Sequence, residues 1–141
     1  MIPDFQGGRL PPGVHQATLE ELRDKLGWGQ RRKHLINGLE MALRLMGNCG
    51  IKRVYLDGSF VTDKDRPRDI DGCYDVPPGA NLGAMYPMWP CTFRNRDVSK
   101  DMFGVELFPS RAPATASGEP YISFFQKDRR GHQRGIVSLE L

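Results

Sequence analysis

Two aspartates separated by one aliphatic residue, Asp69-Ile70-Asp71, restrict what this chain can fold into more than any other stretch. On a strand, successive side chains point to opposite faces, so an Ile70 that enters the core leaves both carboxylates on the other surface. Two carboxylates held side by side repel each other unless a cation sits between them. Oxygen donors of this kind suit a hard divalent ion such as Mg²⁺. Upstream, the apolar run Ile51, Val54, Tyr55 and Leu56 arrives at the pair Gly58-Ser59, and a polar, charged loop joins the two halves. The chain must therefore build a strand, a tight turn and a second strand in that order.

The remaining elements are read outward from this stretch. Residues 1–17, with Gly7, Gly8, Pro11, Pro12 and Gly13, predict an extended arm or loop. Thr18 with Glu21 fits a capping box, followed by Leu22 and Leu26 on one helical face, with Gly27 and Gly29 ending the helix. Leu35, Leu39, Ala42, Leu43 and Met46 form an apolar stripe that predicts a longer helix from Gln30 to Met46. Arg31, Arg32, Lys33 and His34 crowd its first turns, where helix-dipole reasoning disfavours cations. They read as a solvated face, the functional alternative being a basic patch for an acidic acceptor such as RNA.

Ile51 to Leu56 and Arg68 to Val76 predict two strands, joined by a charged connection over 60–68 with room for one helical turn. Asn81 to Met88 predicts a short helix and Phe103 to Phe108 a third strand, with Phe103, Val105 and Leu107 facing opposite to Glu106 and Phe108. Tyr121 to Gln126 and Gly135 to Leu141 flank a polar turn and read as a C-terminal β-hairpin. The expected fold class is α+β: one domain over 1–141, a mixed sheet with helices packed mainly on one face. The apolar last strand, left at the sheet's edge, would be covered by homo-oligomerisation.

Composition narrows the function classes. A net charge of +3 does not by itself imply nucleic-acid binding. Cys49, Cys73 and Cys91 are odd in number and form no CxxC pair, which argues against a zinc cluster or disulfide framework and for a reducing, cytoplasmic compartment. No signal peptide and no membrane-spanning stretch is visible. Asp63-Lys64-Asp65-Arg66 invites a calcium-loop reading, but Pro67 and Arg68 occupy positions where a ligand and a glycine are needed. His15, His34 and His132 follow no ligand spacing. Trp28 and Trp89 read as packing residues, and pairing with Arg94 or Arg96 is the bland account of Glu106.

Gly58-Ser59 at the end of a strand, followed by Asp69-x-Asp71 on the next, resembles the nucleotidyltransferase superfamily of the DNA polymerase beta type. The likeness is best to its minimal members, including small toxin–antitoxin enzymes, and covers roughly Leu35 to Phe108. It implies a nucleotidyltransferase-like core that uses two Mg²⁺ ions, with Mn²⁺ as a substitute, and a nucleoside triphosphate. Asp69, Asp71 and a third carboxylate, for which Glu106 is the candidate, would hold the metals and act in catalysis. Glu106 stands between Val105 and Leu107, where a charge is costly without a role or a partner. Gly58 and Ser59 would bind phosphate. Of the cations between the two halves of the motif, Arg66 or Arg68 would reach the triphosphate. The implied acceptor is a hydroxyl of a protein or an RNA, with a cognate toxin or antitoxin as partner. The alternative from another class is a catalytically inactive, nucleotidyltransferase-like module that binds a nucleotide or a partner and regulates it.

Overall fold

Thr18 opens the first helix as its spacing predicts, its hydroxyl accepting the Glu21 N–H at 3.1 Å and starting α1 (Leu19–Leu26). The computed structural model describes residues 1–81 and 96–141, with the backbone alone for 96–99. The expected helix over Asn81–Met88, Trp89, Cys91 and the two arginines considered as partners of Glu106 lie outside the described residues or side chains. After Gly27 caps α1, α2 (Gly29–Asn48) buries Leu35, Ile36, Leu39, Ala42, Leu43 and Met46 along the predicted stripe. A later helix, α3 (Arg96–Phe103), crosses α2 so closely that a Cβ on Gly38 would collide with the Phe103 carbonyl.

The described sheet has five strands: β1 (Gly13–Ala17), β2 (Arg53–Asp57), β3 (Ile70–Tyr74), β4 (Val105–Pro109) and β5 (Gly135–Glu140). Their spatial order is β1-β5-β2-β3-β4, with both outer pairs parallel and both inner pairs antiparallel. The α+β expectation, with a mixed sheet, therefore holds. Register sorts the side chains. Val54, Leu56, Ile70, Val105, Leu107, Val137 and Leu139 share the main core with α1 and α2. The rows Ser138–Tyr55–Cys73–Phe108 and Asp57–Asp71–Glu106 run across the opposite face.

Three expectations change. The arm is not free: its last five residues are β1, parallel to β5, and Ile2 and Leu10 are buried in the main core. The partner strand lies more than a hundred residues on, which no local pattern reveals. Tyr121–Phe124 is a single helical turn, α4, rather than a strand, so there is no C-terminal hairpin. Tyr121 stacks on Phe108 with ring centroids 4.3 Å apart, and the segment covers the second face of the sheet instead of extending it. Finally, β5 is not an edge. It pairs on both sides, and five consecutive buried residues mark it as a central strand, so the argument for covering it by homo-oligomerisation lapses.

Candidate carboxylate site and cavity

Strand alternation does what the sequence requires of it: Ile70 is fully buried in the core, and Asp71 emerges on the other face. Asp69 stands immediately before β3, and parallel pairing of β3 with β4 sets Glu106 opposite Asp71. Carboxylate oxygens of Asp69, Asp71 and Glu106 all lie within 4.8 Å of one another. An all-oxygen set at this spacing can hold a hard divalent cation.

The charge of the cluster is incompletely balanced. Burial, reinforced by the charges of Asp69, Glu106 and Asp57, pushes the Asp71 carboxyl up to about 7. Lys100, in the last turn of α3, sets its ammonium 3.1 Å from Asp69 Oδ2 and 3.7 Å from Glu106 Oε2. Its hydrogen bond to Asp69 raises its own pKa. A cationic position thus already exists between two of the three acids. Sequence reasoning passed over Lys100, because no periodicity places a helix there and its two acidic partners come from other elements.

Asp57, at the end of β2, is a fourth acid that the sequence reading missed. Burial pushes its carboxyl up to about 6, partly offset by the Arg134 guanidinium, whose Nη2 donates to Asp57 Oδ2 at 2.8 Å. Asp57 Oδ1 is buried with no hydrogen-bond partner. The available signal was its position, directly before Gly58-Ser59 and on the same side of the sheet as Asp71.

Gly58 has φ +77°, and a Cβ there would run into the Asp71 carboxylate, so both backbone and space demand glycine. The turn it opens, Gly58–Val61, is a single 3₁₀ turn, which starts on the glycine itself rather than within the charged connection over 60–68 where a helical turn was expected. Asp57, Gly58, Ser59 and Asp71 form one wall of a cavity of about 680 Å³. Phe124, Phe125, Lys127, Arg129 and Arg134 line it too, together with two further acids, Glu119 and Asp128. Arg66 and Arg68 do not line it: Arg66 faces a separate depression beside Trp28, and Arg68 a third beside Lys100. The cations facing Gly58-Ser59 instead come from residues 127–134, joined to the site only by the fold.

Arg32 corrects the solvated-face reading of the basic run. It is fully buried and donates to the carbonyls of Leu26, Phe60, Thr62 and Lys64, the last from both Nε and Nη2. Its guanidinium lies 3.7 Å over the Trp28 ring, and burial brings its pKa down to about 10. Arg32 thereby ties the turn after Gly58 to α1 and α2. Neighbouring Arg31 binds the Pro67 and Arg68 carbonyls, fixing the chain just before Asp69. His15 Nε2 donates to the Pro11 carbonyl, 2.7 Å away, apart from the carboxylate cluster.

Fold and site together define a class: an α+β protein that presents clustered carboxylates beside a glycine turn and a cavity lined by both acids and cations. The chain belongs to the Family of unknown function (DUF6932), whose model matches residues 3–140. No curated protein and no solved structure matches it. No helix among the described residues is long and apolar enough to cross a membrane.

Proposed function

We propose that this protein is a nucleotidyltransferase that moves a nucleoside monophosphate from a nucleoside triphosphate to a hydroxyl of a macromolecular acceptor. The observation that carries this reading is the set of acids, Asp69, Asp71 and Glu106, beside the Gly58-Ser59 turn, which lines a cavity of mixed charge that also holds Lys127, Arg129 and Arg134. The donor set is entirely carboxylate, and Lys100 already holds a positive charge between Asp69 and Glu106, so these residues fit a divalent cation. Asp69, Asp71 and Glu106 would hold two Mg²⁺ ions, or Mn²⁺. Bound there, the ions would neutralise the triphosphate and acidify the acceptor hydroxyl.

The chain's own residues account for the rest. Gly58 lets a phosphate approach the backbone, and the Ser59 hydroxyl and nearby N–H groups donate to it. Arg129 faces the same cavity and would balance phosphate charge, while Arg134 is engaged with Asp57 and Lys127 with Glu119. The acceptor oxygen bonds to the α-phosphorus as the bond to the bridging oxygen breaks. Pyrophosphate leaves with that electron pair, and a carboxylate of the cluster takes the hydroxyl proton.

A second reading has one observation in its favour. Because Lys100 neutralises Asp69 and Glu106 from within the chain, the acids could be held by a lysine alone, in a non-catalytic module that regulates a partner such as a cognate toxin or antitoxin. Incubation with radiolabelled nucleoside triphosphates and Mg²⁺ in lysate separates the two. Transfer by the wild type and none by Asp69→Ala/Asp71→Ala is expected. No label on any protein or RNA, with both proteins alike, would sink the enzyme reading.

A further inference from the structure

We propose that Lys100 is a tethered counter-ion of the carboxylate cluster, one that a divalent cation must displace before the site can work. The inference rests on the transfer reading above and adds to it how that site is regulated. Lys100 Nζ lies 3.1 Å from Asp69 Oδ2 and 3.7 Å from Glu106 Oε2, on two of the three acids whose oxygens converge within 4.8 Å. A divalent ion that used these carboxylates would draw on the oxygens that the ammonium now holds. At a separation of a few ångströms the two cations also repel each other. One displaces the other.

The fold fixes the backbone of Lys100 and leaves its side chain able to move. Its carbonyl accepts the Gly104 N–H at 2.9 Å, and the Gly104 carbonyl accepts the Ile70 N–H at 2.9 Å, one residue from Asp69. Close contact of Gly38 with the Phe103 carbonyl seats α3 on α2. The ammonium therefore hangs on a held helix by a flexible stem, and only side-chain torsions need change. The side chain is 40% exposed and also lines the depression between α2 and α3, so it has water to withdraw into. A compact, hydrated ammonium suits this role, whereas the planar fork of an arginine would clamp a carboxylate bidentately. Asp71 lines the large cavity, so its side of the cluster faces an arriving triphosphate. An ion that comes with the triphosphate brings phosphate oxygens as further ligands and out-competes the lysine. An ion alone competes poorly.

Mn²⁺ binding to the nucleotide-free protein, read by electron paramagnetic resonance of the unbound ion, tests this. Lys100→Met should bind Mn²⁺ on the order of tenfold more tightly than wild type, one close charge repulsion having been removed. Lys100→Arg keeps the charge and adds the fork, and should bind no more tightly than wild type. Lys52→Met removes the same charge at an exposed position outside the cluster and should stay within about twofold of wild type. A second measurement needs no variant: after brief acetylation of the wild type, mass spectrometry should show Lys100 more reactive with Mg²⁺ than without, and Lys52 unchanged. Equal Mn²⁺ affinity in Lys100→Met and wild type, no Mn²⁺ bound by either, or an unchanged Lys100 reactivity while Mg²⁺ binds overturns the counter-ion. Label transferred by a wild type that fails these tests leaves the transferase standing. Displacement of Lys100 with no label transferred to any acceptor overturns the transfer reading instead.

Discussion

On the helix side of the sheet the buried ion is Arg32, and all five of its N–H groups reach carbonyls of Leu26, Phe60, Thr62 and Lys64. On the opposite face stand the buried Asp57 and the half-buried Asp71. There, Asp57 Oδ1 has no hydrogen-bond partner, and Asp71 is pushed up to about 7 by burial and by three neighbouring carboxylates. The same chain saturates one buried charge and leaves others wanting. A saturated ion is a structural rivet, whereas charge left uncompensated in a cavity wall is what a bound cation or a phosphate-carrying ligand would meet.

The largest effect expected from this contrast is on transfer. Asp71→Asn should lower labelling on the order of 10³-fold, the loss of several kcal/mol of transition-state stabilisation. It should also raise the melting temperature of the metal-free protein, because it removes a poorly solvated charge. A variant that melts lower and still transfers would make Asp71 a rivet like Arg32. Arg32→Met should cost about 3–5 kcal/mol in urea unfolding, since it strands several buried carbonyls. Arg32→Lys should recover only part of this, because one ammonium cannot replace the planar fork. A loss below about 1 kcal/mol would dissolve the contrast from the other side.

The pH dependence sharpens it. The folded Asp71 carboxyl titrates near 7 and its unfolded counterpart near 3.8, so between these values the folded state binds more protons. Metal-free stability must then fall as pH rises through this window, by at most about 4 kcal/mol, with Asp57 contributing in the same direction. Added Mg²⁺ should reverse the fall most strongly above about pH 7, which thermal melts at several pH values would read. Metal-free stability that rises over this range would contradict the assignment.

The smallest effect concerns the turn that faces the cavity. Arg9 bonds Asp128 at 2.6 Å and holds its carboxyl down at about 2, so this contribution is present above the unfolded value of 3.8 and lost as pH falls through about 2. Arg9→Ala should lower the melting temperature slightly at neutral pH, with the difference shrinking under acid.

Legibility followed the range of the interaction. The capped helix, the stripe of α2, the strands around Gly58-Ser59 and Asp69-Ile70-Asp71, and the alternation that exposes Glu106 all rest on neighbours within a few residues. Each was readable. Glu106 opposite Asp71 was inferable only as a candidate, because parallel pairing of β3 and β4 sets that register. Asp57 had only its place before Gly58-Ser59 to mark it, while Lys100, Arg134 and the cations over 127–134 left no local trace. Arg66 and Arg68 were the nearer cations along the chain, yet the fold turns them toward other depressions. The C-terminal segment misled for a related reason: an aromatic run has high strand propensity, but Tyr121 found the Phe108 ring and curled into a turn.

Asp69-Ile70-Asp71 determined by itself that two acids would share a surface with an aliphatic anchor between them. The period of a strand is local and allows nothing else. What those acids face was decided only in three dimensions. Lys100, Glu106, Asp57 and the 119–134 segment that lines the cavity come from four separate stretches, and burial raises the Asp71 carboxyl only once they converge around it. Charge–charge and desolvation effects depend on distance through space, and distance along the chain does not encode them.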